Sequence, residues 1–263
     1  KTAYEIELGI PAEPLFRSRS LNATLLRPAW ERIGIGQWIR GERDKRLYIG
    51  LFKQISLCAQ AKKLWLMLTK RHIRESETMK ALDGIIDIKG LGNYFVDFLA
   101  SADSVRQYFR TQILPQAIMA VPKGKQNVVA IHVRLGDFPE EYRTKIEWYV
   151  EVAKTVARSI NCANATKFWL FSDGTDEELR PLLNMPNVER VYFGNALADI
   201  VAISRSKLLI GSDSTFSGWG AFLGNVPCVF AHVHYGSMLE DGARMLISVD
   251  SAEIAAWIKR MGI

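Results

Sequence analysis

The hydrophobic pattern is most regular from residue 128 onwards, where short apolar runs alternate with amphipathic stretches. The run Val128-Val129-Ala130-Ile131-His132-Val133 predicts a strand buried on both faces, since a strand with one wet face would alternate. Residues 146–160 predict an amphipathic helix and residues 168–171 a second strand. A helix over 176–183 and a third strand over 188–193 follow. The spacing then predicts a helix over 199–206 capped by Asp199, a strand over 208–210 and a helix over 216–223. A strand over 228–231 and a closing helix over 252–261 complete the series. Strands alternating with helices imply a parallel, doubly wound α/β sheet. On that architecture a ligand sits at the carboxyl ends of the strands.

The first half is less regular. Pro11, Pro14 and Pro28 punctuate residues 1–30. Residues 53–72 predict a helix, with Leu57, Ala61, Leu64 and Met67 near 3.6-residue spacing and Lys53, Lys62, Lys63, Lys70 and Arg71 around them. A basic amphipathic helix can rest on anionic lipid, so peripheral membrane contact stays open. Such a helix more often packs its apolar stripe on a core. Residues 84–96 read as strand and turn, with Ile85, Ile86 and Ile88 before Gly90-Leu91-Gly92-Asn93. A helix is expected over 101–118, with capping side chains at Ser101, Asp103 and Ser104. The polar Pro122-Lys123-Gly124-Lys125 link then places the domain boundary, giving 1–122 and 123–263.

Composition narrows the class. A chain of 263 residues fits one large α/β domain or two ordinary ones. With 48% hydrophobic and 24% charged residues it is neither disordered nor collagen-like, and its 3 cysteines make no disulfide scaffold. The longest apolar runs, such as 64–68 and 128–131, fall far short of the roughly 20 residues that a spanning helix needs. Lys plus Arg number 34 against 28 Asp plus Glu, a net charge of +6. That balance suits nucleic acid, a membrane surface, a phosphorylated small molecule or simply a solvated basic face. Basic runs interleaved with aromatics along strands are absent, so nucleic acid is not expected as a partner. Cys58, Cys162 and Cys228 lie far apart without metal-ligand spacing and read as buried free thiols in a reducing compartment. Two sequons, Asn22-Ala23-Thr24 and Asn164-Ala165-Thr166, matter only for a secreted protein. The chain opens on Lys1 with an alternating stretch over 2–8, as if numbering began inside a longer native protein.

Three polar clusters fall at expected strand ends. In His132-Val133-Arg134-Leu135-Gly136-Asp137, an Arg beside a Gly turn can present its planar fork to a phosphate. The same residues could form an Arg–Asp pair that locks a loop, with His132 a satisfied core histidine. In Phe171-Ser172-Asp173-Gly174, the carboxylate suits ribose hydroxyls or guanine N–H groups, or it caps the helix that follows. In residues 211–220, Ser212, Ser214, Thr215 and Ser217 crowd a strand-to-helix turn. Hydroxyls and free N–H groups at a helix start make an anion site, or an ordinary N-cap. Together the clusters suit a nucleotide diphosphate. Walker, dinucleotide-fingerprint, Asp-x-Asp and Gly-x-Ser-x-Gly patterns are missing, so a P-loop, a tightly held metal and a serine hydrolase are not expected.

In this order and spacing the clusters resemble glycosyltransferase family 11, the α-1,2-fucosyltransferases, within the wider α-1,2/α-1,6/O-fucosyltransferase group. That family carries His-x-Arg-Arg-Gly-Asp-Tyr, then Phe-Ser-Asp-Asp, then Ser-Thr-Phe-Ser-Trp-Trp-Gly. Here these stand at 132–138, 171–174 and 214–220, and Tyr94-Phe95 looks like the family's Gly-Tyr-Phe segment. The resemblance covers roughly residues 125 to 230 and implies a GT-B fold: two Rossmann-like domains facing a cleft, the first incomplete at its N-terminus. It implies GDP-fucose as donor substrate, a galactoside as carbohydrate acceptor, inversion at the anomeric carbon, and no cofactor or metal. By that likeness Arg134 holds the β-phosphate and is the catalytic group, and His132 lines the nucleotide pocket. Ser172 and Asp173 face guanine or ribose, and Ser214, Thr215, Phe216 and Ser217 cradle the diphosphate. Bacterial members lie in the cytoplasm or on the inner membrane face; a eukaryotic one would be in the Golgi lumen.

The chain departs from the motifs at three positions. Leu135 replaces the second Arg, Gly174 the second Asp and Gly218 the first Trp. The family's opening His-x-Gly-Gly-Leu-Gly-Asn-Gln loop has no counterpart near residue 1. Two alternatives follow: a nucleotide- or glycan-binding relative that no longer transfers, and a transferase using another nucleotide-sugar donor. No general base is assigned from the sequence.

Overall fold

The computed structural model describes residues 51–52, 65, 68, 72–73, 85–86, 94–136, 140–160 and 166–263. Cys58, Cys162, the first sequon, Asn164 and Ala165 of the second, Asp137, Phe138 and most of the expected helix over 53–72 lie outside the described residues. The chain divides into two compact units, Lys1–Gly92 and Asn93–Ile263.

In the first unit, β1 (His72–Ile73) pairs in parallel with β2 (Ile85–Ile86). Trp65 and Leu68 are helical and exposed. The helix expected through residue 72 therefore gives way to a strand at His72, with Ile73 in register with Ile86.

The second unit is built on six parallel strands in the order β5-β4-β3-β6-β7-β8. They are β3 (Val128–Val133), β4 (Lys167–Ser172), β5 (Val188–Arg190), β6 (Leu208–Gly211), β7 (Cys228–Phe230) and β8 (Met245–Ile247). The chain winds outwards from β3 through β4 to β5, then returns to place β6 on the other side of β3. The carboxyl ends of β3 and β6 therefore flank the point where winding reverses, the place where open α/β sheets bind ligands.

The faces of β3 sort by pleat. Val129, Ile131 and Val133 point into a core with Tyr149, Val152 and Val156 of α2 (Ile146–Ser159) and Ile254, Trp257 and Ile258 of α6 (Ser251–Met261). Burying one such side chain contributes about 1.5–3 kcal/mol, so a charge at Val152 would break this layer. His132 has the opposite parity and faces α5 (Thr215–Gly224), which packs against α4 (Ala196–Ser204). Buried Cys228 on β7 is a free thiol, its pKa pushed up by burial.

Several expected elements change. The helix over 101–118 divides into a 3-10 segment (Tyr94–Ser101), α1 (Ala102–Gln112) and a 3-10 turn (Pro115–Ile118). Pro115 disfavours helix at the residue before it, and Leu114 is extended. Ser101 stands at the N-cap of α1 without a capping bond. The helix over 176–183 shortens to α3 (Arg180–Leu183). Helix α4 starts earlier than expected and is capped by Asn195, whose side chain accepts from the Ala198 N–H. Asp199 instead lies inside α4, buried, and accepts the Phe193 N–H at 2.8 Å. Strand β8 was not expected.

The second unit also begins before the expected 122/123 boundary. Residues 94–118 pack on it. The Arg106 Nε donates to Phe222 O at 2.8 Å, and Phe109 stacks on Trp219 at 5.9 Å. Asn195 donates to Ala117 O at 2.7 Å, and Phe95 meets Trp219, Phe222 and Tyr235. The Pro/Gly link is thus a surface turn within this unit.

Candidate active site

Strand β3 delivers His132 to the α5 side of the sheet, where it is buried. Its Nδ1 lies 2.7 Å from Ser217 Oγ and 3.0 Å from Ser212 Oγ, and the Ser212 N–H donates to Ser217 Oγ at 3.2 Å. The Phe216 ring lies nearly parallel on the imidazole, 4.6 Å between centroids. Burial first, and the Arg134 charge second, lower the His132 pKa to about 3. This histidine is therefore neutral and joins the start of α5 to the central strand.

Ser214 is the N-cap of α5, its side chain accepting from the Phe216 N–H at 3.2 Å. The Ser217 hydroxyl is fully buried and turned towards His132, away from any ligand at the helix tip. What remains for an anion is the first turn's N–H groups other than those of Phe216 and Gly218, the Thr215 hydroxyl and the positive end of the helix dipole.

One strand over, Asp173 follows β4. Its carboxylate forms an ion pair with Arg134 Nη1 and accepts the Leu135 N–H at 2.8 Å. Val133 and Ser172 are register partners, so the residues after both strands meet. Both members of the pair keep about a third of their side-chain surface in solvent: 34% for Arg134 and 31% for Asp173. The pair joins the turns after β3 and β4 through Asp173 of the second cluster; Asp137, the partner within the first cluster, lies outside the described residues. Asp173 does not cap the following helix; α3 has no side-chain cap at Leu179, and Thr175 and Glu178 bond reciprocally in the turn before it, at 2.7 and 3.3 Å. Ser172 Oγ accepts the Gly174 N–H at 3.0 Å and shapes this turn.

Two departures from the fucosyltransferase pattern are explained by packing. A Cβ on Gly174 would come within 2.5 Å of Leu135 Cδ1. A Cβ on Gly218 would collide with the Phe95 ring.

A further group was missed in the sequence. Asp213, buried just ahead of the N-cap, accepts from the His234 N–H at 3.2 Å and meets His234 Nδ1 at 2.7 Å. Tyr235 donates its hydroxyl to Ser214 O at 2.7 Å. His234 and Tyr235 help line a cavity of about 550 Å³ with Val233, Gly236, Met245 and Ile247. None of the residues expected from the three motifs lines that cavity. The sequence signal available for His234 was only a histidine soon after the fifth expected strand.

Among the described residues no group of three or more His, Cys, Asp or Glu side chains could hold a metal ion. No described helix is long and apolar enough to cross a membrane.

The second unit thus belongs to the doubly wound parallel α/β proteins, with polar groups from three strand ends gathered at the reversal of the sheet. Comparison with solved structures finds similarity to the E. coli heptosyltransferase WaaC. Its complex with ADP-2-deoxy-2-fluoro heptose aligns at 14% identity with a TM-score of 0.38, covering 60% of this chain and 47% of that one. Its complex with ADP aligns at 13% identity with a TM-score of 0.41, covering 82% of this chain and 60% of that one. This chain therefore spans about half to three fifths of those structures' length. No protein-family model matches the chain. No curated protein matches it.

Proposed function

We propose that the chain is an inverting nucleotide-sugar glycosyltransferase of GT-B type that moves fucose from GDP-fucose to a galactoside hydroxyl. The observation that carries this reading is the meeting of all three motif segments at one sheet edge. His132 and Ser217 tie β3 to the start of α5, while Arg134 and Asp173 tie β3 to β4.

In this reading the diphosphate rests on the first turn of α5 and the Arg134 fork. Breaking the glycosyl–phosphate bond puts negative charge on the departing diphosphate, and fixed cations and N–H dipoles stabilise it as it develops. Arg134 exchanges the Asp173 carboxylate for the β-phosphate, and Asp173, so released, takes hydrogen bonds from guanine or ribose. Calorimetric titration with GDP, UDP and ADP tests the proposal. Preferred binding of GDP, with fucose release from GDP-fucose, is expected; equal or absent binding of all three overturns it.

The Arg134–Asp173 pair also favours a second reading, a relative that binds nucleotide without transferring, because the expected phosphate ligand is already neutralised. GDP binding without any sugar release marks that outcome.

A further inference from the structure

Outside the motif residues, the described residues present one arrangement with the geometry of an oriented base. The imidazole of His234 is held at Nδ1 by a buried carboxylate and half exposed, with 53% of its side chain in solvent against 7% for Asp213. Its backbone N–H is bound to the same Asp213 oxygen, so ring and main chain are fixed together. Tyr94 and Tyr235 meet the ring edge-on at 5.7 and 5.0 Å and limit its rotation. Among the described residues nothing bonds to Nε2. An aspartate at Nδ1 selects the tautomer whose Nε2 lone pair can accept a proton. The dyad also adjoins the start of α5, on which the proposed diphosphate rests. Asp213 immediately precedes Ser214, the cap of the helix whose first turn faces the diphosphate, and the imidazole lines a cavity of about 550 Å³.

We infer that His234 is the general base of the transfer, with Asp213 as its positioning residue. The inference rests on the glycosyltransferase reading and adds the group that the motifs leave unassigned. The acceptor oxygen forms its bond to the anomeric carbon as the carbon–phosphate oxygen bond breaks. The bonding pair leaves with the nucleoside diphosphate, and the acceptor's proton passes to His234 Nε2 and then to water. Among the described residues, the titratable groups in contact with His234 are Asp213, from the turn before α5, and the rings of Tyr94 and Tyr235. Protonation fills Nε2, so the rate falls on the acid side.

The test measures sugar release from GDP-fucose by the full chain, with water as acceptor and then with lactose, beside calorimetric GDP binding. His234→Gln should lower kcat about 100-fold or more, lose the acid limb and keep the wild-type GDP affinity. Asp213→Asn should lower kcat similarly, because an amide can donate to Nδ1 and reverse the tautomer. The double variant should be no slower than His234→Gln alone, since the two act as a unit. An unchanged rate and pH profile in His234→Gln overturns the base assignment and leaves the transferase reading intact. A parallel loss of GDP affinity, with activity falling at alkaline pH, overturns it in favour of an imidazolium that holds phosphate. A wild-type chain that binds no nucleotide overturns both this inference and the reading beneath it.

Discussion

Leu135 and Gly174 are in contact across the ends of β3 and β4: the leucine Cδ1 fills the space a side chain on the glycine would need. These are two of the three positions at which the chain leaves the fucosyltransferase pattern, where the family has Arg and Asp. The departures are therefore coupled, an apolar contact standing where the motif would place opposite charges. Gly174→Asp alone should destabilise by about 1 kcal/mol, the low end of overpacking costs, because the Leu135 side-chain end can shift. Adding Leu135→Arg should recover part of that loss, and a double-mutant cycle read by denaturant unfolding measures the coupling. Strict additivity would show the two sites to be independent.

The Arg134–Asp173 pair separates stability from activity. Both partners are a third exposed, and such pairs contribute only about 0–1 kcal/mol. Arg134→Ala should thus leave the melting temperature almost unmoved while slowing transfer about 100- to 1,000-fold. Unfolding scans beside kcat measurements check both halves.

Asp173→Asn asks what the carboxylate does once ligand arrives. If it serves only as a counter-ion, the variant frees Arg134 and binds both pyrophosphate and GDP more tightly. The proposed guanine or ribose contact predicts a split instead: tighter pyrophosphate, weaker GDP. Parallel calorimetric titrations distinguish the two.

Ser217→Ala removes the hydroxyl that meets His132 Nδ1 and accepts the Ser212 N–H, both buried. His132 Nδ1 keeps Ser212 Oγ at 3.0 Å, but the buried Ser212 N–H loses its acceptor, which costs about 1–3 kcal/mol, so the unfolding midpoint should fall accordingly. GDP affinity should fall as well, because α5 loses its tie to β3.

Acid stability should show two opposed contributions. The folded His132 pKa, about 3, lies below its ordinary 6.5, so the unfolded chain binds a proton first. Its contribution is whole above pH 6.5 and is lost as pH falls towards 3. Asp199 runs the other way: burial raises its pKa from 3.8 to about 6, offset in part by the Phe193 N–H. Its contribution is whole below 3.8 and is lost as pH rises through about 6. Between pH 4 and 6 the two slopes oppose. His132→Asn should make stability rise on acidification relative to wild type across that window. Asp199→Asn, which keeps an acceptor for the Phe193 N–H, should make it fall by up to about 1.4 kcal/mol per pH unit. Denaturant titrations at several pH values read both slopes.

The alternation of β3, β6 and β7 with helices was legible in the chain, because strands buried on both faces must be written as apolar runs, and β4 was legible from the apolar run at its centre. That the hydroxyls before α5 include an N-cap was one of two readings open in the chain, and the structure puts that cap at Ser214. Asp199 was misread as a cap because Asn195 and Asp199 are equally good cap formers, and only the packing of α4 buries one and leaves the other at the helix start. Edge strand β8 spans Met245–Ile247, too short to make a pattern.

The pairings at the sheet edge lie beyond local sequence altogether. Whether Arg134 faces an anion or a carboxylate depends on β4 lying beside β3 with Ser172 opposite Val133. The meeting of Asp213 with His234 depends on β6 and β7 being neighbours, which brings together the turns that follow them. Burial is encoded residue by residue, since each side chain carries its own transfer free energy. Partnership between polar groups is a property of strand order and register, and no run of neighbouring residues records either.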